Sequence, residues 1–497
     1  MKKRLSLAII LLASLTTTLS SCDFSSLFPD GPSGENYTYY DLGQHSSEGT
    51  FFGRTSGTFK TLVVPVIIGG YEENATEANR ERIRKAFFGT SSETGWESVS
   101  SYFKTCSYGK LNITGEVTEW FNTGINYDQL KTYGTKYGDQ GTYKVVELVY
   151  NWLLEKSFNL SEYDVNGDGY IDSIWLIYSC PQASAQTQSS DPDNPYWAFT
   201  FWDYEYVNAQ RTKFKPVPNT YAWASYEFMD EGAHLGIKVD AHTYIHEHGH
   251  VMGLEDYYDY DNKHSPMGCI DMQDWNIGDH NAFSKLAWGW VKPTVVTGPC
   301  RIELSPTSSY GDCILIKSNL SAWNGNPFEE YLIIDFIAQD NLWNFDSAHK
   351  YTKNISAYTE PGVRIMHADA TLAKIDVNSG EVLEFTTKMS SSNRYTIARS
   401  NTPSRSKVDG VRNTYTSKTL YQDIISMVHK NHDYTATYKG ATVATNNSLF
   451  HTGDSFSLND YQEFFVNGKM HDGKGIPLKI NFISVNHNKA ILEFVEE

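Results

Sequence analysis

Residues 246–268 read HEHGHVMGLEDYYDYDNKHSPMG, and this stretch decides the fold that we expect of the chain. His246 and His250 are four positions apart, so on an α-helix they share one face, about 6 Å apart along the axis. Gly253 follows, and glycine suits the left-handed turn that ends a helix and redirects the chain. The stretch therefore predicts a short helix with two imidazoles on one side and a chain reversal directly after it.

The helix carries the pattern H-E-x-x-H, formed by His246, Glu247 and His250. Two neutral imidazoles can hold a zinc ion, and the adjacent glutamate does not ligate the metal and can take a proton from water. A solvated polar helix can also contain this pattern by chance. Asp256 argues against chance, because it occupies the third-ligand position of the metzincin pattern H-E-x-x-H-x-x-G-x-x-H, and a carboxylate is an accepted zinc donor.

Other residues near the motif are weaker candidates for the third ligand. His242 would lie about 12 Å along the helix from the second motif histidine, too far for one ion, so we expect it to be packed. His248 points to another face, and we expect it to be solvated. Glu255, adjacent to Asp256, remains the alternative. Residues 256–302 contain no glutamate, which excludes a thermolysin-like ligand on a following helix.

A second ion is predicted at the loop DVNGDGYID, residues 164–172. Its spacing fits an EF-hand-like calcium loop with Gly169 at the sharp turn, although Trp175 stands where such a loop has its bidentate glutamate. The alternative is an Asx-rich turn that leads into a strand. The candidate calcium ligands are Asp164, Asn166, Asp168, Tyr170 (through its carbonyl) and Asp172.

The N-terminus begins MKKRLSLAIILLASLTTTLSSCDF, a basic segment followed by a short apolar one. This is typical of a signal peptide and too short for a good membrane span. LSSC resembles a bacterial lipobox, which predicts a signal peptide at 1–21, a lipidated Cys22 and a tether at 22–50. An ordinary signal peptide with an incidental cysteine is the alternative. We expect an exported monomer at the cell envelope or cell surface that contacts a membrane only through the lipid.

The rest of the chain divides near residue 293. Strand- and helix-like segments alternate before it, including a buried strand at 61–68, a helix capped by Asn74, and a helix at 142–156. Short β-type runs follow it, which predicts a β-rich sandwich. The fold class is therefore α+β, with a twisted sheet and an active-site helix at 51–293 and a β-rich domain at 294–497. The formal net charge of −18 argues against a nucleic-acid partner.

Two further features belong to the C-terminal part. The polar stretches 386–407 and 413–419 are typical of exposed loops. Cys300 and Cys313 flank a strand and turn, and they either pair across a hairpin or are two unrelated thiols.

The sequence resembles the immune inhibitor A family of bacterial metallopeptidases, which is metzincin-like. The resemblance rests on H-E-x-x-H-x-x-G-x-x-D at 246–256 and on the segments 98–121, 163–179 and 271–293. One departure is Leu254-Glu255, where the family often has Leu-Pro. The resemblance covers about 60–293 and implies a zinc metallopeptidase with a protein or peptide substrate. It also implies a methionine-containing turn below the zinc, for which Met272 is favoured over Met267.

The resemblance assigns His246, His250 and Asp256 as zinc ligands and Glu247 as the general base. A rival hypothesis from another class is a non-catalytic surface binding protein, or adhesin, that retains a relic metal site. The intact Glu247 argues against it, because a relic site needs no base.

Overall fold

The computed structural model describes residues 55–137, 141–182, 196–202, 211–218, 220–260, 264–351, 355–376, 381–387, 394–402, 406, 423–433, 437–438 and 441–497. The predicted signal peptide, the tether, Cys22 and the stretch 413–419 lie outside these ranges. Within them, no helix combines the length and apolar character that crossing a membrane requires.

Helices and strands alternate before residue 293, and strands dominate after it. The helices are α1 (Glu77–Phe88), α2 (Ser91–Thr94), α3 (Val99–Cys106), α4 (Tyr127–Tyr137), α5 (Thr142–Glu155), α6 (His242–Val251), α7 (Met272–Trp275), α8 (Ala282–Ala287), α9 (Thr307–Tyr310) and α10 (Trp343–Ala348). Short 3₁₀ turns span Glu72–Asn74, Leu160–Tyr163, Tyr226–Asp230, Ala233–Leu235, Ser318–Leu320, Asn446–Ser448, Leu458–Asp460 and Val466–Gly468.

The strands of the first part are β1 (Gly57–Gly69), β2 (Leu111–Val117), β3 (Phe121–Asn126), β4 (Ile174–Tyr178), β5 (Phe199–Trp202) and β6 (Thr220–Ser225). Those of the second part are β7 (Thr294–Val296), β8 (Cys300–Leu304), β9 (Cys313–Ile316), β10 (Glu330–Ile337), β11 (Gly362–Asp369), β12 (Leu372–Ile375), β13 (Val382–Thr386), β14 (Arg394–Ile397), β15 (Ile425–Val428), β16 (Thr437–Tyr438), β17 (Ala441–Thr442), β18 (Ser455–Phe456), β19 (Leu478–Asn486) and β20 (Lys489–Glu496).

The first sheet has the order β2-β1-β4-β6-β5, and β3 also pairs with β1. Its pairings are parallel except that β5 runs antiparallel to β6. The predicted strand at 61–68 is confirmed as the inner part of β1, whose apolar run is buried because helices cover both faces of the sheet. One face packs on α5, and the other packs on α1, α3 and α6.

The prediction that Asn74 caps α1 was wrong. Thr76 is the N-cap, and its Oγ1 accepts the N–H of Asn79 at 3.1 Å. The Asn74 side chain instead donates to the carbonyl of Ser179 at 3.0 Å, beyond the end of β4. An asparagine can serve either purpose, and only the tertiary structure brings Ser179 within reach. The helix predicted at 142–156 is confirmed as α5.

The β-rich character of the C-terminal part is confirmed. A five-stranded sheet of order β15-β11-β10-β9-β7 and a four-stranded sheet of order β18-β19-β20-β8 share one apolar core. A smaller sheet, β13-β12-β14, occupies part of the stretch 386–407. The loop prediction for that stretch was wrong at β14, where Ile397 and the adjacent Ala398 are buried.

The core of the first part continues beyond residue 293. The apolar cluster that contains Phe283 and Trp288 also contains Leu315, Tyr331 and Met366 from the five-stranded sheet. The five-stranded sheet therefore contributes side chains to the apolar core of the first part. The paired alternative for the two cysteines does not occur, because Cys300 on β8 and Cys313 on β9 lie in different sheets and are both free thiols.

Candidate metal centre

The helix α6 is buried along its whole length, from His242 to Val251. The expectation that His248 is solvated was therefore wrong. Its ring packs against Phe59 and Phe103, and Trp175 Nε1 lies 3.4 Å from His248 Nδ1. Burial lowers the pKa of His248 to about 3, so the ring is neutral at pH 7. The face of α6 opposite the motif histidines is thus a packing face against the sheet.

His242 lies in a packed site away from the motif histidines, as expected. Its ring stacks between Trp96, with centroids 3.6 Å apart, and Tyr351, at 3.8 Å. Nδ1 lies 2.7 Å from Asp240 Oδ1 and Nε2 lies 3.4 Å from Asp346 Oδ1. Although burial alone lowers the pKa of His242, these two carboxylates raise it to about 9. His242 is therefore an ion-paired core residue.

Three potential ligand atoms converge beside α6. His246 Nε2 and His250 Nε2 are 3.1 Å apart, and they lie 2.9 and 3.2 Å from Asp256 Oδ1. Tetrahedral ligands at about 2.1 Å from zinc would be about 3.4 Å apart, so the triangle is close to the size that zinc requires. The cluster contains Asp256 and not Glu255.

The hydrogen bonds around the cluster favour a cation at its centre. His246 Nδ1 lies 2.8 Å from the carbonyl of Met272, and His250 Nδ1 lies 2.7 Å from that of Leu254. A carbonyl only accepts, so each Nδ1 carries a proton, and on a neutral ring each Nε2 presents a lone pair. When both rings are neutral, two lone pairs and a carboxylate oxygen within 3.2 Å of one another repel unless a cation lies between them. Two histidines and an aspartate fit zinc.

The turn after α6 positions Asp256, which offers the third of the three ligand atoms. Gly253 has a φ of +92°, as expected of a glycine that ends a helix in the left-handed region. Its N–H donates to the carbonyl of His250 at 2.8 Å, and the N–H of Leu254 donates to Gly249 at 3.0 Å. This chain reversal places the Leu254 carbonyl against His250 Nδ1 and brings Asp256 Oδ1 close to His246 and His250. Burial alone would raise the pKa of Asp256, but its close contacts with His250 and His246 hold that pKa well below its usual range.

Glu247 lies on α6 beside the three ligand atoms and is itself buried. Burial raises the pKa of its carboxyl to about 8, while His246 opposes that rise. The Thr200 hydroxyl donates to the Glu247 carbonyl at 2.9 Å and lies 3.3 Å from its Oε2. Thr200 is on β5, so the edge strand of the sheet fixes the position of this carboxylate.

Met272 supports the site through its backbone as well as its buried side chain. It begins α7, and Asp271 caps that helix by accepting the N–H of Gln273 at 3.1 Å. The Met272 carbonyl then receives His246 Nδ1. The methionine-containing turn itself stays a prediction. Met267 is also buried, but the carbonyl in contact with His246 belongs to Met272.

Several contacting residues were missed in the sequence. Tyr260 donates its hydroxyl to Asp256 Oδ2, and its only signal was its place within the quoted stretch. A Cβ on Gly249 would overlap Gln273 Oε1, so a larger residue there would force that buried amide to shift. Gln273 Oε1 in turn accepts His280 Nε2 at 3.0 Å. These contacts join residues far apart in the chain, and no spacing rule reveals them.

The carboxylates of the acidic loop at 164–172 accept hydrogen bonds from backbone N–H groups of the same loop. Both carboxylate oxygens of Asp164 accept N–H groups of glycines in the loop, at 2.8 and 2.9 Å, and Asp168 Oδ1 accepts the N–H of Tyr170 at 2.8 Å. Asp172 Oδ2 accepts the N–H of Val165 at 2.7 Å. Burial raises the pKa of Asp168 to about 6. An Asx-rich turn accounts for these contacts, and calcium at this loop stays a prediction.

Comparison with known families bears on the same region. Residues 75–277 match the model of the immune inhibitor A peptidase M6 catalytic domain, which spans α1 to α7 and includes all three ligands of the cluster. No curated protein matches the chain at significant similarity. The resemblance to this family is confirmed, and with it the expectation of a protein or peptide substrate. Residues 75–277 are therefore similar to the catalytic domain of the immune inhibitor A (M6) peptidases.

Proposed function

We propose that this protein is an exported, lipid-anchored zinc endopeptidase in which Glu247 is the general base. The observation that carries the proposal is the convergence of His246 Nε2, His250 Nε2 and Asp256 Oδ1, with Glu247 on the same helix as the two histidines and its carboxyl in electrostatic interaction with His246 and Asp256. Export and the lipid anchor rest on the basic and apolar N-terminus and on Cys22, and the protein acts as a monomer at the cell envelope.

The metal, when bound, acidifies a water molecule and polarises the scissile carbonyl. Glu247 takes a proton from that water and returns it to the nitrogen of the leaving amine. Thr200 holds the Glu247 backbone and restricts its side chain. The hydroxyl of Tyr260 donates to Asp256 Oδ2, leaving Oδ1 for the cluster. The three ligand side chains are buried, and backbone carbonyls accept hydrogen bonds from the two imidazole rings, so the site is arranged before substrate binds.

The edge of the first sheet is suited to a peptide substrate. Among the described strands, β5 ends the sheet and pairs on one side with β6. Thr200, near its middle, touches Glu247. An extended peptide can add to such an edge through main-chain hydrogen bonds, which brings its backbone towards the general base. This mode favours an endopeptidase that recognises the backbone of an extended segment.

The proposed function predicts protein cleavage that depends on the metal. Purified protein should digest casein, a zinc chelator should abolish the digestion, and added zinc should restore it. The measurement is the release of acid-soluble peptides and their mass spectra, which distinguish internal from terminal cleavage. A metal-loaded and folded protein that leaves casein and a peptide library intact would support the adhesin hypothesis instead.

Replacement of Asp256 by alanine should lower zinc occupancy. The substitution removes one of three ligands and leaves two imidazoles, which bind zinc much more weakly. Bound zinc per chain, measured after desalting at a fixed free zinc concentration, should fall by close to one equivalent relative to the wild type. Glu255→Ala is the matched control and should retain the metal. The reverse result would make Glu255 the ligand.

We also propose a structural calcium ion at the acidic loop. Asp164 and Asp168 are supporting features, because burial raises the pKa of both carboxyls and a bound cation would offset that cost. Calcium should raise the melting temperature of the wild-type protein and should not raise that of Asp168→Asn. An unchanged melting temperature on calcium addition and removal would refute the site.

A further inference from the structure

A second group of histidines and carboxylates lies in the C-terminal part, on the five-stranded sheet. Glu330 begins β10 and is directly opposite Asp369, which ends β11. His367 is two residues earlier on β11, so its side chain lies on the same face as that of Asp369. His471, from the loop before β19, covers them. Three distant segments thus meet at one point.

The ligand atoms of this group are close together and shielded from solvent. His367 Nε2 lies 2.8 Å from Glu330 Oε1, and His471 Nδ1 lies 3.7 Å from the same oxygen. His471 Nδ1 also lies 2.8 Å from Asp369 Oδ2. The four side chains are between 2% and 9% exposed. The ligand atoms that His367, His471 and Glu330 offer all lie within 4.8 Å of one another.

The charge of Glu330 has no fixed counterion in the described part of the chain. Its ion-pair partners there are His367 and His471, and an imidazole is cationic only when it is protonated. Asp369, by contrast, pairs with the guanidinium of Arg399. A buried carboxylate is costly unless a cation lies against it. The position of Glu330 therefore favours an additional positive charge at this point.

The carboxylates are oriented by contacts outside the group. Glu330 Oε2 accepts the N–H of Asp472 at 2.9 Å, and its Oε1 accepts the N–H of His471 at the same turn. Asp369 Oδ1 accepts the hydroxyl of Thr371 at 2.6 Å. Hydrogen bonds of this kind hold metal-ligating carboxylates in place. The loop and the strand ends are thus arranged around the space between the two histidines.

Another buried group, Cys106, Asp279 and His280, is also compact enough for a metal. There the ammonium of Lys285 lies 2.6 Å from Asp279 Oδ2 and already supplies the cation. The group around Cys106 therefore already has a cation beside its carboxylate, whereas Glu330 has only histidines as ion-pair partners among the described residues.

We propose that His367, His471 and Glu330 bind a second zinc-class divalent ion. Imidazole and carboxylate groups are accepted zinc donors. Asp369, which pairs with Arg399 and contacts His471, orients the His471 ring. The second ion would fasten the 470–474 loop to the ends of β10 and β11. This inference does not depend on the proposed peptidase mechanism.

Metal counting tests the proposal on the full chain without a polyhistidine tag. Protein is saturated with zinc, desalted and measured by mass spectrometry of the metal. We expect two zinc ions in the wild type and one in His246→Ala/His250→Ala. Adding His471→Ala or Glu330→Gln to that double variant should remove the remaining ion. His487→Ala, at an exposed position of the β19–β20 turn, is the matched control and should change nothing.

A stability measurement provides an independent readout. In the His246→Ala/His250→Ala background, zinc should raise the melting temperature, and His471→Ala should abolish the rise while native near-ultraviolet circular dichroism is retained. Two results would overturn the proposal: no zinc bound in that background, or bound zinc that survives both His471→Ala and Glu330→Gln.

Discussion

Glu247→Gln should abolish peptide-bond cleavage while zinc remains bound. The amide keeps the shape of the side chain but has no basic oxygen to take the proton of the attacking water. General acid–base catalysis contributes about 10²–10⁴-fold to the rate, and one carboxylate serves both proton transfers here, so we expect a loss of kcat at the upper end of that range. KM should change little, because the proposed role of Glu247 is proton transfer and not substrate binding. The measurements are initial rates on a fluorogenic peptide and bound zinc per chain.

The control for this variant is Glu255→Gln, which removes a neighbouring carboxylate of the same segment. It should retain both zinc and activity, since Glu255 lies outside the ligand cluster. Undiminished cleavage by Glu247→Gln would refute the proposed mechanism. Loss of zinc together with loss of activity would show that the side chain contributes to the metal site and would leave the role of base unassigned.

Arg364→Met should destabilise the protein by about 3–5 kcal/mol, the range for breaking a buried ion pair by removing one partner. Arg364 lies on β11 in the C-terminal part and is 1% exposed. Its Nε and Nη2 donate to Asp335 at 3.0 and 2.7 Å, and its Nη1 lies 3.3 Å from the carbonyl of Ile270 and 3.6 Å from Asp271 Oδ2. The measurement is the free energy of unfolding from urea denaturation.

The same substitution should weaken zinc binding. Ile270 and Asp271 directly precede Met272, whose carbonyl fixes His246. Without Arg364, Asp271 and Asp335 are buried with less compensation, and the turn below the metal loses its support. A titration of the apoprotein with zinc, followed by competition with a chelator, measures the change in affinity. The C-terminal sheet is therefore expected to be part of the active-site scaffold.

Two further variants test whether the loss of stability is specific to the Arg364 ion pair. Arg301→Met removes an exposed arginine of β8 and should leave the unfolding free energy within about 0.5 kcal/mol, as at other surface sites. Arg364→Met/Asp335→Leu should be more stable than Arg364→Met, because the uncompensated carboxylate is gone. An Arg364→Met protein as stable as the wild type would contradict the role given to this pair.

The features that could be predicted from the sequence are local ones. Periodicity at 61–68 and 142–156 predicted a buried strand and a helix, because apolar spacing reports which faces are covered. The spacing of His246, Glu247 and His250 placed their chemistry on one helix, and Gly253 with Asp256 predicted the reversal that follows. In both cases the interacting residues are near neighbours in the chain, so backbone geometry alone relates them.

Contacts between distant segments could be read only from the folded chain. There His248 is buried against Trp175, the Asn74 side chain donates to the carbonyl of Ser179, and Thr200 lies against Glu247. The fold also joins Arg364 to the turn below the metal and gathers Glu330, His367 and His471 at one point. Each of these contacts links residues from different parts of the chain, where sequence spacing carries no information about distance. Burial also lowers the pKa of His248, because desolvation is a property of the packed molecule.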